Sequence, residues 1–418
     1  MKDKDYLKSE EIINASLGGF MGKTLTNETK GIELFHTFKG AKTFAPLLVA
    51  PNIEYIRIRT DAKIPEFDSI VELNKLRKIV LEGNLTINSL TALEKFPKLK
   101  ELELQKIFPL LDGLKLNIEK LEIASTTLDK VSYLRNMPNL KHVSLGNSVI
   151  YTNINDSTDF SAIKQIEYLY ILSRSLTKLD NLKVLKNLRS LWIPANRKLK
   201  SIEGIQEMNN LDVFAFYRTD VKDLSPVSGL NLKYISGGET NIKTLKGVHL
   251  KDIIRLELNS TLLKKFDAES MPNLEYLSLF NTPLNSLNEL ENFSSIKQLS
   301  LESCNDISDF SILGKMPNLE ILDLHKISIP EDTLIKILDA PKLKIINVEG
   351  NDAIKNIEPN SAITKARERN IHFCYKNREY AEFMRNYDKR FGTLAYYMHL
   401  FEGDKNKWTY LSDKGFHV

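Results

Sequence analysis

The chain of 418 residues is poor in cysteine: Cys304 and Cys374 are its only two, 70 positions apart and in no CxxC or Cys/His cluster. Neither a disulfide framework nor a zinc site is indicated, and a reducing compartment fits. Long apolar runs are missing as well. Gly18-Gly19 break the first short apolar stretch, so no secretory signal is read there, and no segment reaches the length of a membrane span. Charge of one sign is also lacking, since 58 Lys and Arg stand against 54 Asp and Glu for a net +4 without a long basic run. The seven histidines are scattered, with no HExxH, no glycine-rich phosphate loop and no nucleophile elbow. These absences predict a cytoplasmic protein with no cofactor, no bound metal, no nucleic-acid partner and no membrane association, in monomeric form.

What is present is a period. One apolar residue, two variable, apolar, one variable, apolar, two variable, then most often Asn, Thr or Cys, recurs from Ile53, Leu76, Leu99, Ile118, Leu140, Ile166, Leu188, Leu211, Leu232, Ile253, Leu274, Ile296, Leu319 and Leu343. Leu188-Arg-Ser-Leu-Trp-Ile-Pro-Ala-Asn196 is one copy and Leu274-Glu-Tyr-Leu-Ser-Leu-Phe-Asn-Thr282 another. Spacings run from 19 to 26 residues, and fourteen copies in register leave little to chance.

Over residues 53 to about 357 the pattern resembles the leucine-rich-repeat family, and the repeat length is most similar to the internalin and phosphatase-regulator subclass. That resemblance implies an α/β solenoid, a horseshoe or arc with a concave parallel β-sheet, and protein recognition in general.

The physics gives the same register. The fourth and sixth motif positions are two apart, the spacing at which strand side chains share a side, so a short strand buries both and turns its third, fifth and seventh residues outward. Beyond the Asn/Thr/Cys slot, apolar residues recur every three, as in Leu128, Val131, Leu134, Met137 and in Leu176, Leu179, Leu182, Leu185. A three-residue period suits 3₁₀ turns on the convex side. Prolines such as those in Met137-Pro-Asn and Met271-Pro-Asn then end the turn before the next strand.

A stack needs capping at both ends. Residues 1–52 are read as an N-terminal cap in which Phe44 to Asn52 form the tail of a degenerate repeat, 53–357 as the repeat domain, and 358–418 as an aromatic-rich C-terminal cap. Within the last part a short helix is predicted over Glu358 to Asn370. The final 48 residues hold twelve of the chain's 36 aromatics, with a hairpin predicted between Thr393 and Leu411. The longest repeat, starting at Leu140, carries a polar insertion around Tyr151 to Asp159 that either borders a binding surface or is inert.

The outward positions of the repeats from Leu140 to Leu232 carry no formal charge with His142 neutral, and they include Tyr168, Tyr170, Trp192, Tyr217 and Tyr234; Tyr276 and Phe280 follow. Tyr and Trp join large contact area to a polar handle, which is why they dominate interface hot spots. The plain structural reading is an aromatic ladder that pairs across strands. A ladder need not be cleared of charge, so a partner-binding face of Tyr168, Tyr170, Trp192, Tyr217, Tyr234, Tyr276 and Phe280, oriented by Arg218, Arg255 and Glu257, is expected. Over all repeats the outward positions hold five basic residues (Arg57, Arg59, Lys78, Lys120, Arg255) against eight acidic ones (Glu82, Glu101, Glu103, Glu122, Glu257, Glu302, Asp323, Glu349). A net −3 disfavours nucleic acid and points to a protein partner with an apolar centre and basic edges.

Other chemistry-bearing residues read as structural. Cys304-Asn-Asp306 is similar to the Cys-x-Asp of leucine-rich-repeat ubiquitin ligases, which carry it in a large separate domain, whereas Cys304 fills the repeat's turn slot. Thr219, Thr240, Thr261 and Thr282 fill the same slot and are expected to satisfy loop amides. His325 sits two positions from Asp323 without a nucleophile. The expected function is therefore a non-enzymatic binding scaffold, a bacterial intracellular regulator, inhibitor or immunity-type protein. An enzyme or effector acting through the C-terminal aromatic segment and a self-associating structural protein are the alternatives.

Overall fold

The computed structural model describes residues 6–7, 27–35, 44–59, 67–106, 108–147, 149–351, 354 and 361–375. The hairpin expected between Thr393 and Leu411 lies outside the described residues. The chain divides into two compact units, Met1–Tyr276 and Leu277–Val418.

In the first unit the strands, in chain order, are β1 (Tyr6–Leu7), β2 (Gly31–Phe35), β3 (Tyr55–Arg59), β4 (Lys78–Glu82), β5 (Glu101–Gln105), β6 (Lys120–Ala124), β7 (His142–Leu145), β8 (Thr152–Asn155), β9 (Tyr168–Ile171), β10 (Ser173–Ser175), β11 (Ser190–Trp192), β12 (Val213–Ala215), β13 (Tyr234–Ser236) and β14 (Arg255–Glu257). From β2 to β14, leaving out β8 and β10, each pairs in parallel with the next, one strand per repeat. The fourth motif position forms one continuous row, Ile56, Ile79, Leu102, Leu121, Val143, Leu169, Leu191, Phe214, Ile235 and Leu256, none more than 3% exposed. Burying a side chain of this size is worth roughly 1.5 to 3 kcal/mol, so the row alone fixes the register.

The three-residue period is realised as predicted. Leu134 N–H donates to Val131 O at 3.0 Å, Leu182 N–H to Leu179 O at 2.9 Å and Leu185 N–H to Leu182 O at 2.9 Å, the bonds of 3₁₀ turns. The leucines that set the period are buried.

The repeating pattern also starts earlier than the apolar motif shows. β2 pairs with β3 in the common register, Ile32 opposite Ile56, and the turn Ala45–Val49 follows it. Its first motif position is Thr29, a polar residue in a leucine slot, which hides the strand of the degenerate repeat whose tail is read at Phe44 to Asn52.

The polar insertion is ordered into a second, two-stranded parallel sheet of β8 and β10. It leaves the main sheet at Gly146, whose φ of +105° suits glycine; a Cβ there would stand 2.8 Å from the Leu172 side chain. Thr152 N–H then donates to Leu172 O at 2.8 Å, and the Ser173 hydroxyl to Ile154 O at 2.5 Å.

A strand β15 (Tyr276–Ser278) lies at the division between the units. The second unit continues the same plan with β16 (Gln298–Ser300), β17 (Ile321–Asp323), β18 (Ile345–Asn347) and β19 (His372–Cys374), paired in parallel in that order. Two α-helices replace 3₁₀ turns here, α1 (Glu331–Ile337) and α2 (Ser361–Glu368), the second within the span the sequence predicts. They are tied by Lys365 Nζ donating to Ile335 O at 2.7 Å and by Ser361 N–H donating to Glu331 Oε1 at 2.6 Å.

Candidate functional site

The outward face of the first unit's sheet is where the aromatic residues gather. Tyr168 on β9 stacks on His142 of β7, ring centroids 4.2 Å apart and planes 9° from parallel. Trp192 on β11 is half-buried and donates its indole N–H to the Ser190 hydroxyl at 2.9 Å. Tyr170 and Tyr217 are half-buried. Burial raises the Tyr170 phenol pKa, and the neighbouring Tyr217 and Tyr151 phenols push the same way. Tyr217 is raised mainly by burial too. Both phenols stay neutral and able to donate at physiological pH.

Three of the expected surface residues are inside. Tyr234 is 1%, Arg255 3% and Glu257 8% exposed. The Tyr234 hydroxyl donates to Glu257 Oε2 at 2.7 Å, while Arg255 donates to Glu257 Oε1 from Nε at 2.8 Å and from Nη2 at 2.5 Å. The Arg255 guanidinium also lies 3.6 Å over the Tyr276 ring and 5.9 Å from that of Tyr234. The physical reason is the size of their neighbours. Val213, Ala215 and Ser236 occupy outward slots of β12 and β13, all buried, so the larger side chains close over the small ones and over each other. Tyr276 is half-buried, and Phe280, in the second unit, is half-buried as well.

Arg218 is exposed at the tip of the turn after β12, with φ +60°. The same turn position is left-handed in repeat after repeat: Lys106, Ala195, Arg218, Glu239 and Ser260 in the first unit, Asn281, Ser303 and Lys326 in the second. For a non-glycine residue this conformation costs of order 1 kcal/mol. Arg218 Nε donates to Glu239 Oε1 at 2.8 Å, and Arg197 Nη2 lies 3.6 Å from Glu239 Oε2. The sequence reading missed Glu239 and Arg197; their spacing to Arg218 of one repeat was the available signal. It also missed that the insertion brings Tyr151 into this corner, with the exposed Arg174 guanidinium 3.9 Å over its ring.

Charged outward residues nearer the N-terminus are largely consumed by one another. Arg57 bonds Glu82 at 2.9 Å, and Lys78 Nζ lies 2.8 Å from Glu103 and 3.6 Å from Glu101. A second row of charge runs along the residue after each repeat's first apolar position: Lys100, Glu119, Lys141, Glu167, Arg189, Asp212, Lys233. Its signs alternate from Lys100 to Lys233, with contacts at Lys100–Glu119 (2.9 Å), Lys141–Glu167 (3.0 Å), Arg189–Asp212 (2.5 Å) and Lys233–Asp212 (3.0 Å). A polar groove of about 710 Å³ lies along it, lined by Glu167, Arg189, Asp212, Lys233 and several asparagines. Its charges are already matched, so its volume does not make it the better site.

The other chemistry-bearing groups are structural. The hydroxyls of Thr219, Thr240 and Thr261 donate to carbonyls three residues back at 2.7 to 2.9 Å, so they satisfy turn carbonyls rather than the loop amides expected. In the second unit, Thr282 does the same at 2.6 Å. Cys304 in the same slot is buried, its Sγ donating to Leu279 O at 3.0 Å, and burial pushes its thiol pKa up. His325 Nδ1 faces Glu302 at 3.2 Å rather than Asp323, which accepts from the His325 backbone N–H at 3.1 Å and from Asn347 Nδ2 at 2.8 Å. Burial pushes Asp323 up to about 6. Among the described residues no cluster of three or more His, Cys, Asp or Glu is placed to hold a metal ion, and no helix is long and apolar enough to cross a membrane.

No protein-family model matches the chain, and no curated protein matches its sequence. Solved structures do match. An internalin from Listeria monocytogenes, InlF, superposes with a TM-score of 0.51 at 19% identity over 81% of this chain and 93% of its own. A leucine-rich-repeat protein of Leptospira interrogans gives 0.47 at 16% identity, over 88% of this chain and all of its own. Likeness at this identity bears on the fold, and the fold is the leucine-rich-repeat solenoid: parallel strands one per repeat, with short 3₁₀ turns between them.

Proposed function

We propose that the chain is a non-enzymatic scaffold that holds a protein partner against the aromatic strip of its first unit. Tyr168, Tyr170, Trp192 and Tyr217 supply the contact area, with Arg218 at the rim; Tyr276 is a further contact. Tyr234, Arg255 and Glu257 act from beneath, as the buried support that fixes the strip. The observation that carries this reading is three half-exposed aromatic rings on the neighbouring strands β9 and β11 and a fourth, Tyr217, just past β12, with no charged side chain at the outward positions between them. Leucine-rich-repeat folds commonly serve protein–protein interaction, which agrees with that chemistry. A bacterial, cytoplasmic regulator, inhibitor or immunity-type protein, acting as a monomer, is the role we assign.

The test compares the native protein with Tyr170→Ala/Trp192→Ala/Tyr217→Ala, first for identical circular dichroism and then for quantitative capture of partners from cell extract. Loss of one such anchor costs about 2 kcal/mol, roughly thirtyfold in affinity, so the triple variant should release any partner bound here. Equal recovery of every partner by a folded variant overturns the proposal.

A further inference from the structure

We infer that the corner built by the insertion is a subsite for an acidic, aromatic-containing segment of the protein partner; this rests on the binding role proposed above and adds the chemistry of what is bound. Three exposed arginines are linked there: Arg174 lies over Tyr151, Tyr151 acts on Arg218 through space, and Arg218 and Arg197 share Glu239. One carboxylate, Glu239, answers two of them, through Arg218 at 2.8 Å and Arg197 at 3.6 Å. Asp156, the insertion's other nearby acid, is taken up by the Thr177 backbone N–H at 2.8 Å and by the Thr177 hydroxyl. Arg174 lies flat over Tyr151 at 3.9 Å and has no carboxylate partner among the described residues.

The corner therefore keeps a surplus of positive charge beside neutral rings. A guanidinium stacked on a ring is held in plane, with its N–H fork free at the edge, the geometry that takes a carboxylate with two parallel hydrogen bonds. Tyr170 and Tyr217 stand beside it, the Tyr151 phenol acting on both Tyr170 and Arg218 through space. A ligand that fits presents carboxylates to the arginines and a ring or apolar group to the tyrosines. Elsewhere on this unit's outward face Arg57 and Lys78 are paired with glutamates, which leaves the exposed Arg59 as a single arginine, so the cluster of arginines that draws an acidic segment is this corner.

The insertion explains why the arrangement exists. β8 and β10 form their own sheet only because the Leu140 repeat is longer than its neighbours, and the residues that open and close this sheet place Tyr151 and Arg174 on each other.

The probe is a fluorescein-labelled random copolymer of glutamate and tyrosine, titrated by anisotropy against the full chain at low salt. A lysine–tyrosine copolymer and an oligothymidylate of similar length serve as comparisons. The native protein should bind the glutamate–tyrosine probe, weaken tenfold or more between about 50 and 500 mM salt as exposed pairs do, and discriminate against both comparisons. Arg174→Ala/Arg218→Ala should lose at least tenfold. Arg174→Lys, which keeps the charge and loses the planar fork, should lose two- to fivefold, and Lys186→Ala, a lysine that pairs with Glu207 at 2.8 Å, should lose nothing. Equal binding by the double arginine variant overturns the inference, and so does absence of probe binding to the native protein. Preference for oligothymidylate overturns it in favour of a nucleic-acid ligand. None of these three failures touches the aromatic strip, whose own test is the triple aromatic variant.

Discussion

In the first unit, Glu257 on β14 fills the fifth motif position, buried, and receives Arg255 and Tyr234 directly; in the second, Asp323 on β17 fills the same position, equally buried, and receives an amide N–H and the side chain of Asn347. One carboxylate is matched by a cation. The other is not: the groups acting on Asp323 are burial first, then the His325 amide, Glu302, Asn347 and His325. A buried carboxylate with a fitted guanidinium stays charged at little net cost, whereas one held only by dipoles drifts toward its neutral form. Burial at one repeat position thus says nothing about charge state until the adjacent strand is known.

The contrast is broken most sharply by Arg255→Met, which leaves Glu257 buried without its cation and should lower the unfolding free energy of the first unit by about 3 to 5 kcal/mol. Urea denaturation followed by Trp192 fluorescence reads this, and adding Glu257→Leu should restore much of the loss. A single variant as stable as the native protein would mean the pair is not held as the geometry states.

Asp323→Asn should move the second unit the other way. Its folded-state pKa of about 6 lies above the unfolded value near 3.9, so its stabilising contribution is present below pH 4 and is lost as pH rises toward 6. A rise of that size is equivalent to about 3 kcal/mol, so the variant should gain of order 1 to 3 kcal/mol at pH 7.5 and should flatten the stability profile between pH 4 and 6. A native-minus-variant difference independent of pH would contradict this. Smaller again is Thr219→Val, which strands the Phe216 carbonyl inside the first unit at about 1 to 2 kcal/mol by chemical denaturation. Smallest is Lys344→Gln, an ion pair with Glu320 whose lysine side chain is 54% exposed, expected to change stability by about 0.5 kcal/mol or less.

Leucine spacing made the fold legible because each repeat buries the same two strand positions, and Leu191, Phe214, Ile235 and Leu256 lie opposite one another just as that spacing requires. The copy before Ile53 showed only its tail, Phe44 to Asn52, because Thr29 stands where a leucine identifies the strands of the others. The binding face was only half legible. A two-residue period tells which way Tyr234 and Arg255 point, yet not that Val213, Ala215 and Ser236 are small enough for them to sink. Nor does it tell that the insertion returns as a sheet, so Tyr151 and Arg174 were out of reach of a reading that treats a long repeat as a loop. The left-handed turn tips were obscured for a different reason: Gly83 and Gly350 mark the position in two repeats, but the chain places Arg218, Glu239 and Ser260 there in others.

The alternating row of charge gives the stack a parity. Removing the one repeat that carries Glu167 would set Lys141 against Arg189, like facing like; removing the two repeats that carry Glu167 and Arg189 would set Lys141 against Asp212. Over the stretch from Lys100 to Lys233 the solenoid is thus shortened with every pair still opposite in sign in steps of two rather than of one, so two repeats together, not one, are the electrostatic module there.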